Sequence, residues 1–319
     1  MKGRQNRLAK IVRPALAAVV LAAGGNGQLR AQDSAATSWS VQLDNDLFAL
    51  WRSPRRRTDR DFSSGFMLAL TRTLKPARTW ERSLTLSLTQ QIYTPSITHP
   101  RKVPLDRPYA AILSAGATLQ LERPRTRHHF GAAVSVTGEP ALGEPVQRLV
   151  HRLIGAPEPV GWEEQLPFEP ALSLGYTGGQ EFLALGGDAG LGWRMSVDWG
   201  MEVGTVASLV SSALRGTVGL NAPGTWRTEM AGEKTGGNVR IYIPYGLQLD
   251  VVGRTLVLDG TVFRDSPRLP RKTLVPRAEA GIAVEWHWAS IAWIGHITGT
   301  EFQGQQAPHG YGSFRVVLR

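Results

Sequence analysis

Three polar constellations carry the residue types that do chemistry. The first is Asp44-Asn45-Asp46, followed by Arg52, Arg55, Arg56, Arg57, Asp59, Arg60 and Asp61, and then by Phe62-Ser63-Ser64-Gly65. Carboxylate and amide oxygens at this density suit a hard cation such as Ca²⁺, although the spacing is not that of an EF-hand loop. A polar strand end followed by a solvated basic loop accounts for the same residues. The second is Pro100-Arg101-Lys102 with Asp106-Arg107-Pro108-Tyr109-Ala110. Its basic side chains suit a phosphorylated lipid, and equally an ordinary solvated loop. The third runs from Gly138 to Leu166 and contains Gln147 and His151. Four residues apart on a helix, those two share a face. An imidazole there can serve as a general base near neutral pH, while the bland alternative is a surface His.

The elements that must hold these groups alternate with period two. Ser83-Leu84-Thr85-Leu86-Ser87-Leu88-Thr89 puts leucines on one face and hydroxyls on the other. Trp193, Met195, Val197, Trp199, Met201 and Val203 alternate with Arg194, Ser196, Asp198, Gly200 and Glu202. Such strands have one apolar and one polar face. A sandwich and a barrel both use the pattern. Strands of roughly 9–14 residues, Trp on the apolar face and ionic residues on the other favour an all-β, antiparallel transmembrane barrel with a polar lumen. Twelve strands are predicted, near 38–49, 62–74, 82–94, 108–122, 127–138, 168–181, 189–205, 207–221, 236–263, 274–288, 289–303 and 309–319. The ninth is long enough to be two, but even strand counts favour twelve. One helix is expected in a loop, at 144–154, where Val146, Leu149, Val150, Leu153 and Ile154 form an apolar stripe. Pro145 suits its first turn and Gly155 its end.

Composition narrows the field further. With no Cys among 319 residues, disulfide scaffolds, thiolate zinc sites and Cys nucleophiles are excluded. The net charge of +10 would suggest nucleic acid. Six of the basic residues, however, are Lys2, Arg4, Arg7, Lys10, Arg13 and Arg30, in a stretch with no acid before Asp33. That stretch has a basic start, a short apolar run over 11–23 and a small residue at Ala31, which is the architecture of an export signal. Residues 1–31 are read as the signal and 32–319 as one barrel domain, and no nucleic-acid partner is expected. The apolar run is too short for a spanning helix, which disfavours a membrane anchor.

With the N-terminus periplasmic, the loops at 50–61, 95–107 and 139–167 share the extracellular end. All three constellations then meet at one rim. Together they resemble the LpxR family of outer-membrane lipid A 3′-O-deacylases. The resemblance spans about 38–319 and is strongest in Asn45-Asp46, Thr58-Asp59-Arg60-Asp61-Phe62-Ser63-Ser64-Gly65, Asp106-Arg107-Pro108-Tyr109-Ala110 and the run from Gly138 to Gln165. It implies a Ca²⁺-dependent ester hydrolase acting on lipopolysaccharide, monomeric, in the outer membrane, with its site toward the extracellular leaflet. His151 matches the family's catalytic His, and Asn45-Asp46 its Asn-Asp pair, with Asp46 at the metal. Ser63 stands where the family has Thr or Ser, and Arg101-Lys102 match its basic pair. The acidic metal-site residue falls at Glu158, or at Pro157 in the alternative register. Departures are Phe62-Ser63-Ser64 for Tyr-Thr-Asn, Ala111-Ile112 for Gly-Trp, and Arg319 for a terminal Phe. Two other classes remain on the sequence alone. One is an outer-membrane phospholipase with Ser63 as nucleophile, and the other a non-enzymatic channel or structural barrel.

Overall fold

The computed structural model describes residues 37–52, 59–95, 106–186, 190–224 and 239–319. The expected export signal lies outside them. Twelve antiparallel strands close into a barrel, each paired with its neighbours in sequence and β1 with β12. They are β1 (Thr37–Asn45), β2 (Asp61–Ala77), β3 (Trp80–Thr94), β4 (Ala110–Arg123), β5 (Thr126–Thr137), β6 (Pro170–Leu185), β7 (Leu191–Gly204), β8 (Ala207–Leu220), β9 (Arg240–Thr255), β10 (Leu274–Glu285), β11 (Ala289–Thr298) and β12 (His309–Leu318). Among the described residues the α-helices are α1 (Gly143–Ile154) and α2 (Leu256–Asp259).

Closure removes every free strand edge, which is what lets strands cross an apolar medium. The period-two pattern becomes two faces. On β1, Ser38 and Ser40 are buried inside while Trp39 and Leu43 are exposed outside. On β7, Ser196 and Asp198 point inward, and Trp193, Trp199, Met201 and Val203 outward.

The ninth predicted strand is corrected. It is a single strand over 240–255, and Leu256–Asp259 then turns as a short helix. The apolar run Leu256-Val257-Leu258 reads as strand, but it folds into the mouth of the barrel. There Leu256, Val257, Leu258, Leu269, Leu166 and Phe302 pack with Ala110 and Ile112 of β4. An apolar residue with no lipid to face and no strand partner is best buried in this plug.

The lumen is lined by paired charge. Arg107 is buried, 3.1 Å from Asp61 and 2.9 Å from Glu301, with its guanidinium over the Tyr93 and Phe302 rings. Deeper, Asp198 accepts from Arg127 at 3.1 Å and lies 3.2 Å from Arg215, which also pairs with Glu279. Arg277 reaches Asp250 at 2.6 Å. Buried charge is tolerated because each group has an ionic partner. Purified barrel in planar bilayers is therefore expected to carry no steady ion current. A stable open level of constant conductance would contradict the plugged mouth.

Candidate functional site

The site is assembled where the loop-bearing end of β1 meets β2. A regular strand would send Asn45 and Asp46 to opposite faces. The chain avoids this by ending β1 at Asn45, whose extended backbone precedes a 3₁₀ turn over Asp46–Phe48. The Asn45 side chain accepts from Leu47 N–H at 2.9 Å and donates to the Ser63 carbonyl at 3.1 Å. Asn is suited to this capping role, and here it also ties the turn to β2. Asp46 is thereby tucked in with 1% of its surface exposed, and neither carboxylate oxygen has a hydrogen-bond partner. Burial, and then repulsion from Asp59, hold its carboxyl well above the usual carboxylate range. Asp44 does not join it, because its carboxylate accepts from Gln42 at 2.8 Å on the luminal face.

Ser63 occupies a bulge. Phe62 pairs with Tyr93 and Ser64 with Ile92, leaving Ser63 as the extra residue on β2. Its hydroxyl is buried and bonded to the Thr94 hydroxyl at 2.5 Å.

Helix α1 covers the outer wall. It starts after Leu142 in the left-handed region and ends at Gly155, also left-handed, where Ala156 N–H returns to the His151 carbonyl at 2.9 Å. Gly143, Gln147 and His151 recur every four residues and form its buried stripe. Gly143 permits the approach, since a Cβ there would overlap Ala111 and the Trp162 ring. Leu149 and Leu153 of the apolar stripe are 51% and 65% exposed. The helix thus sets Gln147 and His151 against the wall while Leu149, Leu153 and Arg152 face outward, and Val146 packs on the wall from the flank. Beneath it, Ile92, Tyr109, Ala111, Ala141 and Trp162 form an apolar cluster. Ala111 and Ile92 have the register parity opposite to Ala110 and Ile112, so this cluster and the luminal plug lie on the two sides of the same wall.

Asp59 joins these pieces. Its Oδ2 accepts from Gln147 Nε2 at 2.6 Å and faces His151 Nε2 at 2.6 Å. Gln147 in turn accepts from the Trp162 indole N–H at 2.7 Å. His151 Nδ1 meets the Pro157 carbonyl at 2.5 Å. Both ring nitrogens therefore face oxygen atoms, Nδ1 the Pro157 carbonyl and Nε2 the Asp59 carboxylate. The bond to Asp59 is the main cause that raises the His151 pKa above its ordinary value, against the opposing effect of burial. Sequence reasoning gave Asp59 no role. Its position among Arg55, Arg56, Arg57, Arg60 and Asp61 marks it only as part of a charged loop.

Asn45, Asp46, Asp59, Gln147 and His151 are thus brought together, with Ser63 beside them on β2. Glu158 is not brought in, because its side chain points to solvent and pairs with Arg148 at 3.1 Å. Neighbouring Pro157 contributes a carbonyl instead. Arg101 and Lys102 lie outside the described residues. Among the described residues no group of three or more His, Asp or Glu is arranged to hold a metal, and the carboxylates that face one another here are those of Asp46 and Asp59. Gln147→Leu removes both bonds of its amide, each worth about 1 kcal/mol or more when buried. Amide exchange across 143–154 is expected to accelerate about tenfold or more, with strand amides unchanged. Unaltered exchange in the helix would show that this chain of bonds does not hold it.

Comparison with known proteins gives three results. The family described as outer membrane protein LpxR matches residues 15–319. Among solved structures, LpxR from Salmonella typhimurium superposes with a TM-score of 0.75 at 16% identity, covering 88% of this chain and 99% of that one. The beta domain of the Bordetella autotransporter Brka reaches a TM-score of 0.46 at 10% identity, covering 90% of this chain and 100% of that one. No curated protein matches.

Proposed function

The chain belongs to the LpxR family of outer membrane proteins, and from that premise we propose that it is a lipid A 3′-O-deacylase, hydrolysing an ester-linked acyl chain of lipopolysaccharide at the extracellular leaflet. The observation that carries this reading is the way α1 is set on the wall. A helix that hides Gln147 and His151 against a barrel wall and turns Leu149 and Leu153 outward suits a site bathed in lipid. The 1–31 segment is then the signal removed on export, and the barrel acts as a monomer.

The donor set fits a hard cation. Asp46 supplies a buried carboxylate with no hydrogen-bond partner, and Asp59 a second close enough to repel it. Oxygen ligands of this kind suit Ca²⁺. When bound there, Ca²⁺ supplies Lewis-acid polarisation of the acyl carbonyl and stabilisation of its developing oxyanion.

The protein's own groups do the rest. The Pro157 carbonyl holds Nδ1–H of His151, which fixes the tautomer whose lone pair is on Nε2. In the resting geometry Asp59 occupies the position in front of Nε2. In the reactive one a water stands there, His151 removes its proton, and the oxygen attacks the acyl carbon. The carbon–oxygen bond to the sugar breaks, and the proton passes from His151 to the leaving alkoxide. Asn45 holds Asp46 in place. Ser63 takes no covalent part, since its hydroxyl is committed to Thr94 and His151 is bonded elsewhere. Arg101 and Lys102 are proposed to bind the lipid A phosphates. The phospholipase reading lacks a His partner for Ser63, whose hydroxyl is bonded to Thr94, while the bonded pair of Ser313 and His296 at 3.0 Å faces the lumen, away from the lipid. The plugged mouth opposes the channel.

The mass spectrum of lipid A from cells with and without the protein tests the function. Loss of one acyl chain in its presence is expected, and an unchanged spectrum with folded barrel in the membrane would reject it. Asp46→Ala and chelation should each abolish turnover without unfolding the barrel, and added Ca²⁺ should restore the chelated protein. His151→Ala should lose at least ~10²-fold, the usual scale of general-base assistance. Ser63→Ala should keep measurable hydrolysis. An acyl adduct trapped on Ser63 would replace this mechanism with a covalent one.

A further inference from the structure

Beyond the site, the β1–β2 segment lies on the outside of the barrel, on the side of Asp46 away from α1. Three positions of the wall there are glycines. Gly312 pairs with Asn45 on one side and Gly295 on the other, while Gly310 pairs with Ile297. Alternation places all three on the outer face, with Leu43, Phe314 and Trp293 one step away along the strands. A Cβ on Gly295 would overlap the Trp51 ring, one on Gly312 the Phe48 carbonyl, and one on Gly310 would sit 3.2 Å from the Trp51 ring. The segment therefore lies flush on bare backbone. Phe48 stands edge-on to Phe314 at 4.9 Å, Trp51 to Trp293 at 6.1 Å, and the Trp293 indole N–H donates to the Phe48 carbonyl at 3.1 Å. Arg52 reaches the Gly310 carbonyl. Despite this anchoring, Leu50 and Trp51 remain 48% and 44% exposed.

We propose that Phe48, Leu50 and Trp51 form an aromatic shelf that binds the substrate's acyl chain and that Trp51 sets which chain length is accepted. The inference rests on the acyl-ester reading above and deepens it. The occupant is a hydrocarbon chain because the shelf is apolar and continuous with the lipid-facing surface of β11 and β12. It also begins two residues from Asp46, and Trp51 lies on Gly295 and Gly310, level with the Asn45–Gly312 pair, so a chain whose ester lies at Asp46 and His151 runs sideways across it over β12 and β11. A loop needed only to hold Asp46 would not require an exposed indole laid across two strands. Ring-to-methylene contact discriminates, since each methylene in an apolar site is worth roughly a factor of ten or more.

The test compares wild type, Trp51→Ala and Gly295→Ala on lipid A substrates whose removable chain has ten, twelve or fourteen carbons. Both variants should change the ratio of kcat/KM between the longest and shortest chains about tenfold, while heat-modifiable gel migration stays that of a folded barrel. Gly295→Ala leaves the indole in the sequence but lifts it off the wall. An equal fall for all three chains, or no change, would overturn the proposal and leave the shelf a structural brace. A second readout does not need turnover. With 5-fluorotryptophan incorporated, the ¹⁹F resonance missing from Trp51→Phe is that of Trp51. It should shift when an ether-linked, non-hydrolysable diacyl glucosamine phosphate is added, and an unmoved resonance would reject the shelf. If the barrel hydrolyses no acyl ester, the function proposed above fails, while this resonance still decides whether the shelf binds the chain.

Discussion

One carboxylate holds the outer face of the molecule together. Asp59 accepts from Gln147 and faces His151, two residues one helical turn apart, and through Gln147 it reaches the Trp162 indole. Polar groups on a surface meant for lipid are costly unless they bond to each other. The Asp59 carboxylate makes that possible for α1. It allows Gln147 and His151 to face the wall while Leu149 and Leu153 turn outward, where hydrocarbon solvates them.

The wall at β3 and β4 has a second consequence for how the parts are separated. Alternate residues of the same two strands support two unrelated structures. Ala110 and Ile112 back the luminal plug, while Ile92 and Ala111 lie under α1. The loop from Gly138 to Glu169 crosses the rim between them, with Trp162 outside and Leu166 inside, and Leu166 N–H bonds to the Tyr109 carbonyl at 2.8 Å. The filled lumen gives the strands a stiff backing. The outer wall can then act as a flat support on which a short turn and a helix are set at fixed distances.

Much of this was legible in the chain before its structure. Period-two alternation with Trp on one face specifies a barrel because only a two-faced strand is compatible with lipid outside and ionic groups inside. The loop helix was legible for the same reason, its caps and stripe being local. What failed was non-local. Amphipathicity shows that α1 has two faces but not which one meets the protein, and that depends on Asp59, 92 residues from His151. Leu256-Val257-Leu258 looked like a continued strand because an apolar run does not say whether lipid or a plug awaits it. Glu158 matched by position, yet the same turn offers the Pro157 carbonyl to the imidazole and leaves the carboxylate to Arg148. The break after Asn45 answers a geometric need, since a regular strand would send Asn45 and Asp46 to opposite faces, and the side-chain cap on Leu47 is how the chain meets it.

Filling the lumen also separates chemistry from permeability. The outer membrane keeps small toxic solutes and antibiotics out, and any barrel wide enough for twelve strands is a hazard to that barrier if it is hollow. Here the charges that pair across the interior, and the apolar mouth above them, obstruct the lumen. All the parts argued to handle lipid stand on its outside. The cell can therefore raise the number of copies in its envelope, and selection can remodel α1 or the β1–β2 segment, without opening a leak across the membrane.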